Sequence, residues 1–267
     1  MFKIKLHDNQ NEYITKHILK YGYWDKYKSE LLNEIIKDGI KFNKKYIFVD
    51  IGSNIGYFSL FCASFSVKTI SFEPIKKNYD LFLESIRNNG YESLINLKKV
   101  AFGNKREMGK FNIMDENMGC CTTVDFLFNR KPDYILEANI FLADDYLFDI
   151  NEDMIVKIDV ENMEKEVIEG MMNTLKKGKI KYIFIEISKI SKSIPEVFDI
   201  LLEFNYTKGI IIDNIKDVNK DTNKDIIDID SKYLENDSLY LTLEEIRNIH
   251  VKSVDISQMD LLLFKDL

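Results

Sequence analysis

Short apolar runs alternate with amphipathic segments along most of the chain. The apolar runs predict seven β-strands, at 46–51, 69–74, 95–102, 154–160, 181–188, 208–213 and 259–265. The amphipathic segments predict helices at 56–65, 78–89, 162–176 and 195–205, and a further helix over LTLEEIRNI. Residues 103–152 break the alternation and are predicted to be irregular, with a hairpin around Gly109 to Val124. This order is typical of an α/β fold with a doubly wound, mostly parallel sheet.

The start of the chain has a different pattern. Apolar residues recur at helical spacing over 13–42, where Gly39 is placed to end a helix. The aromatic residues Tyr21, Tyr23 and Trp24 precede the main run of this helix. We therefore predict an amino-terminal helical cap over 1–43 and a main domain over 44–267.

Acidic residues stand at the carboxyl ends of four predicted strands. They are Asp50, Glu73, Asp159 and Glu186. Ligands of doubly wound folds bind outside the carboxyl ends of the strands, so these side chains are predicted to surround a ligand site. The polar segment 213–238 leaves a strand on the same side, and it is either a solvated surface loop or a substrate lid.

The turn in FVDIGSNIGYF indicates which ligand fits. Its glycines, Gly52 and Gly56, follow a GxxxG spacing, and Asn54 stands where a dinucleotide site needs glycine, which disfavours NAD and FAD. S-adenosylmethionine fits better because it carries an adenosine but no phosphate. The Asp50 carboxylate can accept from its ammonium group, the helix after Gly56 can face its carboxylate, and Glu73 can bind its ribose hydroxyls. The alternative, that both glycines only permit tight packing, stays open.

Four motifs in order resemble the FkbM-type S-adenosylmethionine-dependent methyltransferases: VDIGSNIGYFSL, ISFEPIKKNYDLFLESIRNNG, VAFGNKREMGKF and IVKIDVENMEKEVIEGM, followed by IFIEIS. The resemblance implies a Rossmann-like class I methyltransferase fold, S-adenosylmethionine as cofactor and O-methylation of sugars, glycan units or other small hydroxylated metabolites. Asn162 departs from the family's glycine, although asparagine tolerates positive φ. The predicted cofactor-binding residues are Asp50, Gly52, Ser53, Asn54, Gly56, Tyr57, Glu73, Pro74, Ala101 and Asp159.

Methyl transfer to a hydroxyl group needs alignment in a dry pocket and benefits from a base. Asp159 is the first candidate, and Glu161 and Glu186 are the other predicted catalytic residues. Glu161 could instead stabilise the start of the following helix through its dipole. No metal site is predicted, but a divalent cation on Asp159 and Glu186 is an open alternative. His250, Cys120 and Cys121 are weaker candidates for the site.

Charge and composition limit the partners. The net charge is −7 with a pI near 5.2, and lysines are scattered among acids, so no nucleic-acid partner is expected. The three cysteines form neither a CxxC pair nor an even set, and the sequence contains neither a signal peptide nor a membrane-spanning run, so we expect a cytoplasmic location. The expected partner is a small-molecule or glycan acceptor, with a homo-oligomer left open. Two alternatives remain: a nucleic-acid methyltransferase, although DVEN replaces its (D/N/S)PP(Y/F/W) motif, and a non-catalytic S-adenosylmethionine-binding module.

Overall fold

The computed structural model describes residues 2–114, 117–122, 133–188, 194–212, 240–252 and 258–265. The strands are β1 Tyr46–Ile51, β2 Thr69–Phe72, β3 Ile95–Lys98, β4 Ala101–Phe102, β5 Glu107–Met114, β6 Asn117–Thr122, β7 Tyr134–Phe141, β8 Asp153–Ile158, β9 Ile180–Ser188, β10 Tyr206–Ile211, β11 Leu241–Thr242 and β12 Gln258–Lys265. The helices are α1 Tyr13–Tyr21, α2 Lys26–Lys41, α3 Tyr57–Ser64, α4 Lys76–Asn89, α5 Asp144–Leu147, α6 Glu164–Glu169, α7 Met172–Lys176, α8 Ile194–Glu203 and α9 Leu243–Lys252. None of the helices in these ranges is long and apolar enough to cross a bilayer.

The main sheet confirms the predicted α/β fold. Its eight strands follow the order β11-β10-β12-β9-β8-β1-β2-β3, one more strand than predicted because β11 adds a short edge. The strands from β9 to β3 are parallel, whereas β12 runs antiparallel to both β9 and β10. The carboxyl ends of β1, β2, β8 and β9 therefore meet at one edge, where a ligand site is expected.

Both faces of this sheet are covered, which explains the continuous apolar runs of its strands. On one face, Val49, Val156 and Ile183 pack in a core with residues of α6, α7 and α8. On the other face, Phe48, Ile155 and Phe184 pack against α2 and α3. Helix α2 is thus part of the core.

The prediction for 95–152 needs correction. The expected strand 95–102 is two strands in different sheets: β3 pairs with β2, and β4 with β7. The hairpin expected near Gly109 to Val124 is formed by β5 and β6. The described residues beyond it are not irregular, because β7 joins these strands in a four-stranded sheet, β4-β7-β5-β6. Most of β7 is exposed or half-buried, so this strand does not need the continuous apolar run by which the strands of the main sheet were predicted.

The helices also differ from the predictions in detail. Residues 13–42 form two helices, with Gly22 in left-handed conformation at the end of α1 and Asp25 capping α2. Gly39 does not end α2, which continues to Lys41. The helix predicted over 162–176 is divided into α6 and α7 around Gly170. The segment 213–238 lies outside the described residues.

Candidate functional site

A cavity of about 750 Å³ opens at the carboxyl ends of β1, β2, β8 and β9. Its volume is within the ~300–1,000 Å³ typical of small-molecule sites. Most of the predicted site residues line it: Gly52, Ser53, Asn54, Tyr57, Glu73, Pro74, Ala101, Asp159, Glu161 and Glu186. Asp50 and Gly56 are not among its lining residues. The cavity therefore unites residues from four strand ends.

The two glycines of the turn after β1 are required by packing. Gly52 has a φ of 76°, and a Cβ there would lie 1.8 Å from the Asp159 carbonyl oxygen. Gly56 has a φ of 85°, and its Cβ would lie 2.1 Å from the Phe82 ring. The packing alternative thus accounts for both glycines, and only Gly52 also faces the cavity.

Glu73 holds this turn in place. Its Oε2 accepts from the Asn54 backbone N–H at 2.8 Å, and its Oε1 accepts from the Ile75 N–H at 2.9 Å. The Asn78 side chain donates a third hydrogen bond to this carboxylate. A carboxylate has about four lone-pair positions, so about one remains for a ligand. Burial raises the pKa of Glu73 to about 7, against the opposing effect of the two backbone N–H groups. The carboxylate is therefore ionised mainly above neutral pH.

Ser53 offers a second polar group to the same part of the cavity. Its side chain is only 5% exposed, and within the described part of the chain its Oγ has no hydrogen-bond partner. An unpaired buried hydroxyl is costly unless a ligand or water binds it. Together with the remaining acceptor position of Glu73, this hydroxyl fits a ligand with several polar groups, such as S-adenosylmethionine.

Asp50 lies beneath the cavity in a buried polar network. Its Oδ2 accepts from Ser59 Oγ at 2.6 Å, and its Oδ1 lies 3.5 Å from Lys157 Nζ. Lys157 lies on the adjacent strand β8, directly opposite Asp50 in the register of the two strands. Its ammonium group also donates to the Gly52 carbonyl oxygen at 3.1 Å. Asp50 therefore acts on the turn through Lys157, and a direct contact with the cofactor stays a prediction.

Three carboxylates come together on the other side of the cavity. Oxygen atoms of Asp159, Glu161 and Glu186 all lie within 4.8 Å of one another. The antiparallel register of β9 and β12 adds Asp260 opposite Glu186. Glu161 thus supplies a third ligand atom for the cation alternative, which stays open.

Two buried lysines offset part of this negative charge. Lys157 Nζ lies 3.2 Å from Asp159 Oδ2. Lys28, in the first turn of α2, lies 2.8 Å from Asp260 Oδ1 and 3.1 Å from Asp25 Oδ2. The amino-terminal helices therefore contribute a cation to the site.

The environment shifts the pKa values of Asp159 and Glu186 in opposite directions. Burial alone would raise the pKa of Asp159, but the charges of Lys157 and Lys28 outweigh burial and lower it. Burial, followed by the charges of Asp159 and Asp260, raises the pKa of Glu186 to about 10. At neutral pH Asp159 is therefore ionised and Glu186 is protonated, an arrangement typical of acid–base pairs.

The loop after β8 explains the departure at Asn162. Glu161 and Asn162 both have positive φ, 56° and 77°, as expected for a turn that commonly uses glycine. The Asn162 N–H donates to Glu164 Oε1 at 3.0 Å, and burial raises the pKa of Glu164 to about 7. Glu164 therefore supports the loop, while Glu161 faces the cavity.

Sequence reasoning missed several residues of the site. Lys157 and Asp260 are single charges within the apolar runs MIVKI and MDLLLF, and an isolated charge in a buried strand indicates a partner. Lys28 gave no such signal, because lysines are common on exposed helix faces. Of the weaker candidates, Cys120 and Cys121 fall on β6 and His250 falls in α9.

Comparison with known proteins identifies the family. Residues 50–208, more than half of the chain, match the Methyltransferase FkbM domain. No curated protein sequence gives a significant match.

Several solved structures are similar in outline. They include the human methyltransferase 10 domain containing protein (9% identity, 94% of this chain and 92% of that one, TM-score 0.45) and an rRNA methylase from Streptococcus thermophilus (11%, 84% and 89%, TM-score 0.40). The StiE O-MT segment shares 9% identity over 88% of this chain and 73% of that one, with a TM-score of 0.43. At these identities and TM-scores the likenesses carry no information about substrate.

The match spans the glycine turn, Glu73 and the carboxylate cluster, which are the parts that form the cavity. The chain therefore belongs to the FkbM methyltransferase family and is an S-adenosylmethionine-dependent methyltransferase.

Proposed function

We propose that the protein transfers the methyl group to a hydroxyl oxygen of a small acceptor, with a sugar or glycan unit as the leading class. The observation that carries this proposal is the cluster of Asp159, Glu161 and Glu186, whose carboxylate oxygens lie within 4.8 Å of one another in the cavity that Glu73 also lines. A hydroxyl group needs a proton acceptor when it becomes a nucleophile, and the carboxylates supply one.

The cofactor side would be formed by Glu73, Ser53 and Asn54. Glu73 would accept from a ribose hydroxyl through the lone pair that the backbone and the Asn78 side chain leave free. The Ser53 hydroxyl would take the polar partner that it lacks within the described residues. When bound, S-adenosylmethionine supplies a methyl group activated by a positively charged sulfur.

Asp159 is the proposed base. As the acceptor oxygen bonds to the methyl carbon, its proton becomes strongly acidic, so even a carboxylate of lowered pKa can take it. The protonated Glu186 cannot accept this proton, but it can donate a hydrogen bond to the acceptor. Lys157 holds the Asp159 carboxylate at 3.2 Å and keeps it ionised before the reaction.

An acidic cavity disfavours a nucleic-acid acceptor. Asp25, Glu161 and Asp260 line it in addition to the proposed base, and the whole chain carries a net charge of −7. Phosphates bind where lysines and arginines are concentrated, and both buried lysines are already paired with carboxylates. A neutral hydroxylated acceptor avoids this repulsion.

The test uses an isotope-labelled methyl group and a panel of glycosides and other hydroxylated acceptors. We expect the label on oxygen, as read from the carbon chemical shift of the product. Asp159→Asn should lower kcat by about 10²- to 10⁴-fold, and its S-adenosylhomocysteine affinity distinguishes a base from the predicted cofactor contact. Asp153→Asn, at the opposite end of β8, is the matched control and should keep wild-type kcat. A label on nitrogen would refute the proposal. So would an Asp159→Asn variant whose kcat is within about threefold of the wild-type value.

The same assay decides between the base and the cation alternative. Because Lys28 and Lys157 already supply positive charge to the carboxylates, we expect activity to survive EDTA. Loss of activity with EDTA and recovery with Mg²⁺ would favour a cation held by Asp159, Glu161 and Glu186.

A further inference from the structure

Five aromatic side chains from the amino-terminal segment line the cavity, and the four that precede α2 form one cluster. These residues, Tyr13, His17, Tyr23 and Trp24, are called the aromatic wall. The ring centroids of Tyr13 and Trp24 are 5.7 Å apart, those of His17 and Trp24 are 5.1 Å apart, and those of His17 and Tyr23 are 5.8 Å apart. All three pairs pack edge to face, which fixes the orientation of each ring against its neighbour. The rings of the wall therefore hold one another in place.

The hydrophobic core does not require the whole of this wall. The Tyr13 side chain is 61% exposed, and His17, Tyr23 and Trp24 are only half-buried. Large aromatic surface left open inside a cavity is typical of ligand sites. The exposed faces of these rings thus remain available to a ligand.

The wall is continuous with the carboxylate side of the cavity. Asp25 follows Trp24 directly, and its Oδ2 lies 3.1 Å from Lys28 Nζ. The same ammonium group lies 2.8 Å from Asp260, which stands opposite Glu186 in the strand register. A ligand on the wall can therefore reach the carboxylates that surround the proposed base.

This combination selects the chemistry of the ligand. The wall offers flat apolar surface, whereas Asp159, Glu161 and Glu186 offer several acceptor oxygens within 4.8 Å of one another. A pyranose ring matches both, because it has a face of C–H groups and a rim of several hydroxyl donors. A simple phenol has a flat face but few donors, so it would leave desolvated carboxylate oxygens unpaired.

We propose that the aromatic wall is the acceptor subsite, on which the C–H face of a sugar ring stacks while its rim hydroxyls donate to the carboxylates. This inference rests on the proposed function, which it deepens by assigning specificity to Tyr13, His17, Tyr23 and Trp24. The wall then orients the sugar ring and so decides which hydroxyl group is presented to Asp159.

Trp24 provides the test, because it is the only tryptophan in the chain. Its fluorescence is followed in protein saturated with S-adenosylhomocysteine, during titration with methyl glycosides of glucose, galactose and rhamnose, and with catechol. We expect a saturable change with at least one glycoside. Tyr23→Ser should raise the dissociation constant of that glycoside by about tenfold. Tyr13→Ser should have the same effect, and because Tyr13 is exposed, this substitution carries little risk for folding.

Tyr21→Ser is the matched control. Tyr21 packs against His17 and Tyr23, with ring centroids at 4.6 and 6.0 Å, but it is not among the residues that line the cavity. We expect its glycoside affinity to equal that of the wild type. Equal weakening in Tyr21→Ser and Tyr23→Ser would overturn the proposal.

Three other outcomes would also overturn it. They are a fluorescence change with catechol alone, no fluorescence change with any of the probes, and Tyr variants that lower the affinity for S-adenosylhomocysteine instead of the affinity for the glycoside. The last would assign the wall to the cofactor. These readouts do not depend on turnover. A label found on nitrogen in the transfer assay would therefore refute O-methylation while leaving the glycoside subsite intact.

Discussion

Glu73→Gln tests the cofactor side of the site. The wild-type carboxylate accepts from the backbone N–H groups of Asn54 and Ile75 and from the Asn78 side chain, which leaves about one acceptor position for the ribose. Glutamine keeps a single acceptor oxygen, so the variant loses at least one charge-assisted hydrogen bond to the ribose. Such a bond contributes about 1.5–3 kcal/mol. The dissociation constant of S-adenosylhomocysteine should therefore rise by about 10- to 150-fold.

The same substitution should remove a pH dependence. The pKa of Glu73 is about 7, so its protonated fraction grows as pH falls below neutral, and only the ionised form offers every acceptor position. Wild-type affinity should therefore weaken from about pH 8 to about pH 6, approaching tenfold per pH unit at the acid end. In Glu73→Gln this component should be absent.

Isothermal titration calorimetry with S-adenosylhomocysteine measures both effects. Glu84→Gln is the control, because Glu84 lies on the exposed side of α4 in an ion pair with Lys5. Thermal unfolding of each variant shows whether the protein is folded. The reasoning is refuted if folded Glu73→Gln binds within about twofold of wild type, or if both proteins show the same pH profile.

Three further substitutions test the buried framework. Gly52→Ala would place a Cβ 1.8 Å from a backbone oxygen and should lower the free energy of unfolding in urea by about 3 kcal/mol or more. Gly22 has a φ of 80° but open space around its Cβ position, so Gly22→Ala should lower it by only about 1–2 kcal/mol. Equal losses in the two variants would contradict the packing argument. Lys157→Met leaves the buried Asp50 charge without its cation and should cost about 3–5 kcal/mol, so an unchanged unfolding free energy would refute the pairing. The raised pKa of Glu164, about 7, means that its stabilising contribution is full below its unfolded pKa and is lost as pH rises through 7. Glu164→Gln should therefore gain on the order of 3 kcal/mol relative to wild type between about pH 4.5 and about pH 8, and parallel stability profiles would contradict this.

The main strands could be predicted because each is buried on both faces. YIFVDI coincides with β1, and the apolar runs near 154 and 181 coincide with β8 and β9 to within two residues. Their parallel order then places Glu73, Asp159 and Glu186 around one cavity, which follows from topology alone. The carboxylate cluster was therefore accessible from the sequence.

The remaining parts depend on contacts between distant segments. Strand β7 alternates exposed and half-buried positions and has no apolar run, so the second sheet was missed. The pairing of Lys157 with Asp50 depends on the register of β8 against β1, and that of Lys28 with Asp260 depends on where α2 docks. Neither register nor docking can be read from local patterns.

A crystal structure with S-adenosylhomocysteine tests the central claim most directly. The nucleoside should occupy the cavity at the carboxyl ends of the strands, with a ribose hydroxyl within hydrogen-bond distance of Glu73 and the sulfur directed toward Asp159. A nucleoside bound elsewhere, or a ribose whose hydroxyls do not contact Glu73, would contradict the account.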